Sequence, residues 1–462
     1  MTTATSNRFG CDEFRRNLSV SRRGLVRAGA LGVAGLSLPD LLRHEAHASE
    51  AGKSTNRENS VILLWMRGGP SQHETWDPKP DAPDLYRGAF GAMSTNVPGI
   101  QICDLLPKCA KIMDKFSVIR SLAHGNSGHS SADQIVFTGY PPGPNPNDNV
   151  APSIGSIVAK EFQGDSPELP TYVMIPRKVP GVGPAYLGGN FAPFETQADP
   201  AIDGPFNMPG LSLQNGLTFD RLDSRANLLK SLDTIRRNVD VDGAMENMDY
   251  FQQKAFDTLV SDRARNAFDL DSEPAEIRER YGLMPAYKAP TPNRCSVPAW
   301  SQRILLARRL VEHGVRLVTV DLRWWDTHTK GYETMRDGFL PRWDQAYSAL
   351  VEDLEQRGML DTTMVLAWGE FGRTPKLNKT GGRDHWGNVF SAAMTGGGIQ
   401  GGRVVGSSDR FGGVPDDNFK PPQDVLATVY RHLGIDTSKH YNDFNGRPHP
   451  ILPSGQVISE LF

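Results

Sequence analysis

From residue 60 onward, short apolar runs alternate with longer amphipathic stretches. Ser60–Met66, Phe116–Arg120, Thr171–Pro176, Val315–Val320 and Met364–Trp368 have the length and the Val/Ile/Leu content of buried strands. Between them a 3.6-residue apolar period predicts helices at Leu105–Asp114, Ile154–Phe162, Trp300–His313, Phe339–Arg357 and Pro422–Leu433. In Phe339–Arg357 the buried stripe reads Leu340, Trp343, Tyr347, Leu350, Leu354, and Gly358 closes the helix. Ser130 and Asp133 fit a capping box, which predicts a helix beginning at Ser131 with Ser130 as its cap. Residues from about 196 to 300 turn charged and helical, with Leu222, Ala226, Leu229, Leu232 and Ile235 near one face and Phe251, Ala255, Phe256 and Leu259 repeating the pattern. They read as a helical insertion packed over the sheet. The tail from Tyr441 reads as loop-rich. Strands alternating with helices predict an α/β fold, a three-layer α/β/α sandwich around a mostly parallel central sheet.

Composition agrees with a large ordered domain. The chain has 462 residues, 38% of them hydrophobic, with 46 Gly and 34 Pro, so long ordered loops are expected. Its formal net charge is -3, and a mildly acidic chain with no basic run argues against nucleic acid as a partner. Charge is unevenly spread. Residues 1–48 carry seven Arg against Asp12, Glu13, Asp40 and Glu45, a balance of 7 - 4 = +3, which leaves -6 for the rest. Within them Ser21-Arg22-Arg23-Gly24-Leu25-Val26-Arg27 precedes the weakly apolar run Ala28–Leu38 and then Ala46-His47-Ala48. That is the pattern of a twin-arginine (Tat) signal peptide over residues 1–48 with an A-x-A cleavage site, so the Tat translocon is an expected partner and the periplasm or another exported location the expected destination. Residues 49–59 read as a linker and 60–462 as the domain. No apolar run is long enough for a membrane-spanning helix in the mature chain. Once Cys11 leaves with the signal, Cys103, Cys109 and Cys295 remain, an odd set that cannot define the fold by disulfides.

Chemistry gathers where strands end. His73 and Asp77 follow the first strand, and Asp326 and His328 follow Val315–Val320. Being two apart, Asp326 and His328 point the same way in an extended segment and can bind one ion. Glu370 stands at the end of Met364–Trp368, and a glycine-rich loop then delivers Asp384-His385 beside Trp386. The turn that begins at His124 follows the second strand, and its Ser127, His129, Ser130 and Ser131 are the catalytic candidates. Open α/β sheets place their sites at this carboxyl edge. A ligand set of nitrogen and oxygen without Cys suits zinc or manganese, one or two ions per chain. Two such ions lower the pKa of water and clamp a transferring phosphoryl or sulfuryl group. The metal candidates are therefore His73, Asp77, Asp326, His328, Glu370, Asp384 and His385. His124 and Arg373 are candidates for substrate binding, although Glu370 could equally pair with Arg373.

The motifs GGPSQHETWDPKP, the His-rich turn ending in FTG, LLARRLVEHGVRLVTV, WDTH, GEFGRTP, GRDHWG and PQDVLATVYRHLGID resemble a Tat-exported, sulfatase-like domain-of-unknown-function family of the alkaline phosphatase superfamily. The resemblance covers about residues 60 to 460. It implies an α/β/α sandwich and a two-metal site that hydrolyses a phosphate or sulfate ester, small or polymeric. On that resemblance Asp326, His328 and His385 form one metal position. Glu370 takes the place of the strand-end Asp of a second, with His73 or Asp77 contributing. Two departures stand out. Arg67-Gly68-Gly69 occupies the place of the superfamily's Asp after the first strand, and His129 falls where sulfatases carry their modified Cys or Ser. The nucleophile is then Ser127, Ser130 or Ser131, a water, or absent. If absent, the chain is a non-catalytic, metal-stabilised binding or scaffold protein that kept the fold.

Overall fold

The structure is a computed structural model, and it describes residues 59–165, 168–202, 206, 261–292 and 295–462. The expected signal peptide, nearly all of the expected linker, and the helices expected around 222–235 and 251–259 lie outside the described residues.

The centre is one eight-stranded sheet. In chain order its strands are β1 (Ser60–Trp65), β2 (Ser117–Leu122), β3 (Tyr172–Ile175), β4 (Phe194–Glu195), β5 (Leu317–Asp321), β6 (Thr363–Trp368), β7 (Phe390–Thr395) and β8 (Val404–Val405). They lie side by side as β8-β2-β7-β6-β1-β5-β3-β4. β1 is parallel to both β5 and β6, while β7 alone runs antiparallel to its two neighbours, β2 and β6. Five helices matter here: α1 (His129–Thr138), α2 (Ile154–Glu161), α3 (Ser301–Glu312), α4 (Leu340–Gln356) and α5 (Pro422–Leu433).

Alternation along the strands builds two cores. In β1, Ile62 and Leu64 face one apolar layer with Leu310 of α3 and Trp343, Tyr347 and Leu350 of α4. Val61, Leu63 and Trp65 face the other, with Val136 of α1, Ile157 of α2 and Val429 of α5. Successive side chains of a strand point to opposite faces, so a strand covered on both sides must be apolar throughout. Every residue of β1 and β6 is accordingly buried. Helices on both faces of a mostly parallel sheet make the three-layer sandwich.

The sequence reading needs four amendments here. β7, with its small residues, was not distinguished as a strand. The tail carries a hairpin, His440–Asn442 with Pro448–Pro450. Leu105–Asp114 divides into a short helix, Pro107–Lys111, and a turn of 3₁₀ helix at Met113–Lys115. Finally, α1 begins at His129, with Gly128 as N-cap and no capping side chain. Ser130 therefore lies inside the first turn and is no cap, because the Asp133 carboxylate that would complete the box is buried in an ion pair with Arg67 instead. Among the described residues no helix is long and apolar enough to cross a membrane.

Candidate functional site

Four parallel strands, β1, β2, β5 and β6, end near one another and feed the loops that carry the polar residues. Trp65 is in register with both Asp321 and Trp368, so the loops after β1, β5 and β6 start level. After β1 the chain turns at Gly68, whose φ of 110° and lack of a side chain are both needed. A Cβ there would lie 2.4 Å from the Trp325 nitrogen and 2.7 Å from that of Asp326. Pressed against that segment, the Arg67 carbonyl accepts the Trp325 N–H at 2.8 Å. The Gly68 N–H donates to the fully buried Glu370 carboxylate at 2.8 Å. The Arg67-Gly68-Gly69 turn thus ties the ends of β5 and β6 together.

Three histidines and one aspartate converge above this turn. His328 Nε2 lies 2.9 Å and His385 Nε2 3.0 Å from Asp326 Oδ1, and His129 Nε2 lies 3.6 Å from Asp326 Oδ2. The Nε2 atoms of His328 and His385 are 2.9 Å apart. Each ring is anchored at its other nitrogen. Nδ1 of His129 meets Glu370 Oε1 at 2.6 Å, Nδ1 of His328 meets Asp384 Oδ1 at 2.8 Å, and Nδ1 of His385 meets the Ser127 carbonyl at 2.9 Å. All three partners are acceptors, so Nδ1 of each ring carries a proton; a doubly protonated ring also donates from Nε2 toward Asp326, and loss of that second proton turns an Nε2 lone pair inward. Donor atoms of His129, Asp326 and His385 all lie within 4.8 Å of one another, a spacing that suits one metal ion. Imidazoles oriented by carboxylates or carbonyls are the usual surroundings of metal-binding histidines. The donor set therefore fits a divalent ion.

Arg373 enters the cluster from below, fully buried. Its Nη2 donates to Asp326 Oδ1 at 2.7 Å and to the Gly68 carbonyl, its Nε donates to Gly69 O at 2.9 Å, and its Nη1 donates to Arg383 O at 3.2 Å. Burial pushes the Asp326 carboxyl up, but hydrogen bonds from the three histidines and the Arg373 charge outweigh it and hold the group well below the usual carboxylate range. Burial lowers His129, yet hydrogen bonds to Asp326 and Glu370 raise it to about 9. His328 is raised by its hydrogen bond to Asp326, against burial, and further by Asp384.

Several expected site residues lie elsewhere or do other work. His73 is buried, with Nε2 on the Phe411 carbonyl at 2.8 Å, and burial pushes its pKa well below the usual value. Asp77 is buried against Lys79 at 3.0 Å, with Ser408 and Arg120 also beside it. Neither has a contact with the histidine cluster, because the loop after β1 turns them toward residues 408–411. Glu370 and Asp384 stand behind His129 and His328. His124 donates from Nε2 to the Glu370 carbonyl at 2.6 Å, while its Nδ1 accepts the Asn126 N–H. Arg373, expected to meet substrate, has no exposed surface. Ser127 Oγ accepts the Gly387 N–H at 3.0 Å, and Ser131 Oγ donates to Asn126 Oδ1 at 2.9 Å. Ser130 follows His129 in the first turn of α1. Sequence reasoning placed His129 among the catalytic rather than the metal candidates and missed the buried Arg67–Asp133 pair. The Asp326-x-His328 spacing had no counterpart beside His129 to signal its role.

With this geometry in place, the comparisons can be read. A family profile described as "Protein of unknown function (DUF1501)" matches residues 58–462. The chain belongs to the DUF1501 family. A search of curated proteins finds no match for this DUF1501 member. Among solved structures it is similar to the phosphonate monoester hydrolase SpPMH from Silicibacter pomeroyi, with 10% identity and a TM-score of 0.38 over 87% of this chain and 76% of that one. It is also similar to the PsFucS1 sulfatase from Pseudoalteromonas sp., with 12% identity and a TM-score of 0.37 over 84% and 70%. A third, the lipoteichoic acid synthase LtaP from Listeria monocytogenes, has 10% identity and a TM-score of 0.35 over 82% and 73%. Scores this low leave the fold resting on the strand order and the two helical layers.

Proposed function

We propose that this DUF1501 protein is an exported, metal-dependent hydrolase of phosphate or sulfate esters. The observation that carries the reading is the convergence of three inward-facing imidazoles on Asp326, each ring anchored at Nδ1 by an acceptor. His129, Asp326 and His385 would hold a zinc or manganese ion, with His328 beside them as a fourth donor. Such an ion supplies Lewis acidity toward an ester oxygen and lowers the pKa of water. The residues of the chain position and tune. Glu370 fixes the ring of His129, Asp384 that of His328, and the Ser127 carbonyl that of His385. The substrate, small or polymeric, is an ester whose anionic group approaches from the open side of the cluster, where His328 is 39% exposed. Export rests on Arg22-Arg23 and Ala46-His47-Ala48. Replacing both arginines by lysine should leave precursor in the cytoplasm, and unchanged export would refute the Tat route.

The decisive experiment combines metal analysis of the purified protein with a screen of aryl phosphates and sulfates. Turnover that stops with a chelator and returns with zinc or manganese is expected. A second reading is favoured by the Ser127 and Ser131 hydroxyls, which are already hydrogen-bonded, Ser127 to the Gly387 N–H and Ser131 to Asn126: a binding or scaffold protein stabilised by its ion. Bound metal, a lower melting temperature after chelation and no turnover of any ester would select it.

A further inference from the structure

The tail hairpin, His440–Asn442 with Pro448–Pro450, carries at its tip the most exposed large apolar side chain among the described residues, Phe444 at 84%. A lone exposed apolar residue is ordinary. The turn that presents this one is fixed by its own hydrogen bonds. The Asp443 N–H donates to the Arg447 carbonyl at 2.8 Å, and the Asp443 carboxylate accepts the N–H groups of Asn445 at 2.8 Å and Arg447 at 3.0 Å. Its other oxygen meets His449 Nε2 at 3.1 Å, and the His449 ring stacks on Tyr186 with centroids 5.6 Å apart. Phe444 is therefore held in solvent by a turn that has already lost its conformational freedom, which is what favours a binding anchor.

The Tyr186 stack sets the hairpin beside a hollow. Ala185, the residue before Tyr186, lines it together with Pro180, Val182, Pro184, Ala192 and Pro193, and its volume is about 500 Å³. A dry apolar cavity of about 150 Å³ already holds a benzene ring, so a phenyl side chain fits here. The prolines stiffen the walls, and Asn149 ties them by donating from Nδ2 to the Gly181 carbonyl at 2.8 Å. Phe444 of the same chain does not fill the hollow, since it is exposed. Charge is matched as well. The tip carries Asp443 and Arg447, and the hollow is edged by Asp148 and Lys178, one acid and one base on each. A two-fold contact buries the same patch on both subunits, so that patch must hold a feature and its complement. Here an apolar anchor and an apolar hollow lie side by side on one face, with Arg447 placed to face Asp148 and Asp443 to face Lys178 across the two-fold.

We propose that this chain forms a two-fold dimer in which Phe444 of each copy enters the hollow of the other. The proposal does not depend on the metal-dependent reading. It is tested by sedimentation velocity of the purified protein over a concentration series. A reversible dimer is expected, and a monomer at every concentration would overturn the proposal. Phe444→Asp removes the anchor and Ala192→Arg fills the hollow; each should weaken the dimer at least about 30-fold. Both positions are exposed in the single chain, so both variants should fold, with circular dichroism as the check. A dimer of undiminished strength in either variant would place the contact on another face and overturn the assignment. Mixing the two variants supplies the sharper test. Each alone has lost both anchor–hollow contacts, whereas a mixed pair keeps one, the Phe444 of the Ala192→Arg chain in the open hollow of the Phe444→Asp chain. The mixture should therefore associate more strongly than either variant alone. A mixture no stronger than its components would refute the pairing of anchor with hollow.

Discussion

The loops after β1 and β5 look alike on paper and do different work. Each follows a buried apolar strand and each supplies a histidine and an aspartate, His73 with Asp77 and Asp326 with His328. The first pair turned into support. His73 bonds a carbonyl of the 408–411 stretch, Asp77 sits among Lys79, Arg120 and Ser408, and between them Glu74 forms a buried ion pair with Arg383. The second pair meets two further histidines brought by other loops. What separates them is partner chemistry. The decisive nitrogen is Nε2: in His73 it ends on the Phe411 carbonyl, away from any carboxylate, whereas in His129, His328 and His385 Nδ1 holds the anchor and Nε2 faces Asp326.

The widest separation between the two loops should come from their charged residues. Glu74→Gln leaves Arg383 buried without its counter-ion and should cost about 3–5 kcal/mol of stability, read as a large drop in melting temperature, with metal still bound. Asp326→Asn should lose metal by more than the roughly 10–100-fold of an outer partner. Because it also takes the carboxylate from the buried Arg373 it should cost stability too, so metal occupancy rather than melting temperature separates the two loops. If Asp326→Asn keeps full occupancy, the two loops do not differ as described.

Glu370→Gln comes next. As the residue behind His129 it should weaken metal binding by about 10–100-fold without changing the ion count. Calorimetry that found one ion fewer would make Glu370 a direct ligand.

Acid should expose the support loop. The folded pKa of His73 is well below 6.5, so below about pH 6.5 the unfolded chain takes up a proton that the native ring does not. Its share of stability is complete above that pH and falls as pH drops, by up to about 1.4 kcal/mol per pH unit. His73→Gln should flatten the stability profile between pH 5 and 6.5 by one proton, and an unchanged slope in chemical denaturation would contradict it. The smallest effect belongs to Ser130. With Gly128 as N-cap, Ser130→Ala should move stability by no more than about 0.5 kcal/mol, and a loss near the ~1 kcal/mol of a true cap would restore that role.

The strands and helices that build the core were legible from period and composition. Pro422–Leu433 matches residue for residue, and β1, β3, β5, β6 and α2 to α4 lie within a few residues of their expected bounds. Burial on both faces writes itself into consecutive apolar residues, and a helix between two layers into a stripe; both are local signals. β7 escaped because Phe390-Ser391-Ala392-Ala393-Met394-Thr395 owes its extended form to pairing with β2 and β6, which no local period announces. The same limit applied at the site. Sequence alone placed Asp326, His328, Glu370, Asp384 and His385 at strand ends, since the carboxyl edge of a parallel sheet is where loops gather. It could not tell a ligand from the residue that steadies it, nor keep His73 and Asp77 apart from the cluster, nor see that Arg373 lies buried within it. Those distinctions depend on which ring nitrogen faces which acceptor across more than two hundred residues of chain, as in the 241-residue separation of His129 and Glu370. Only the packed structure decides them, because hydrogen-bond geometry is fixed by tertiary neighbours rather than by spacing along the chain.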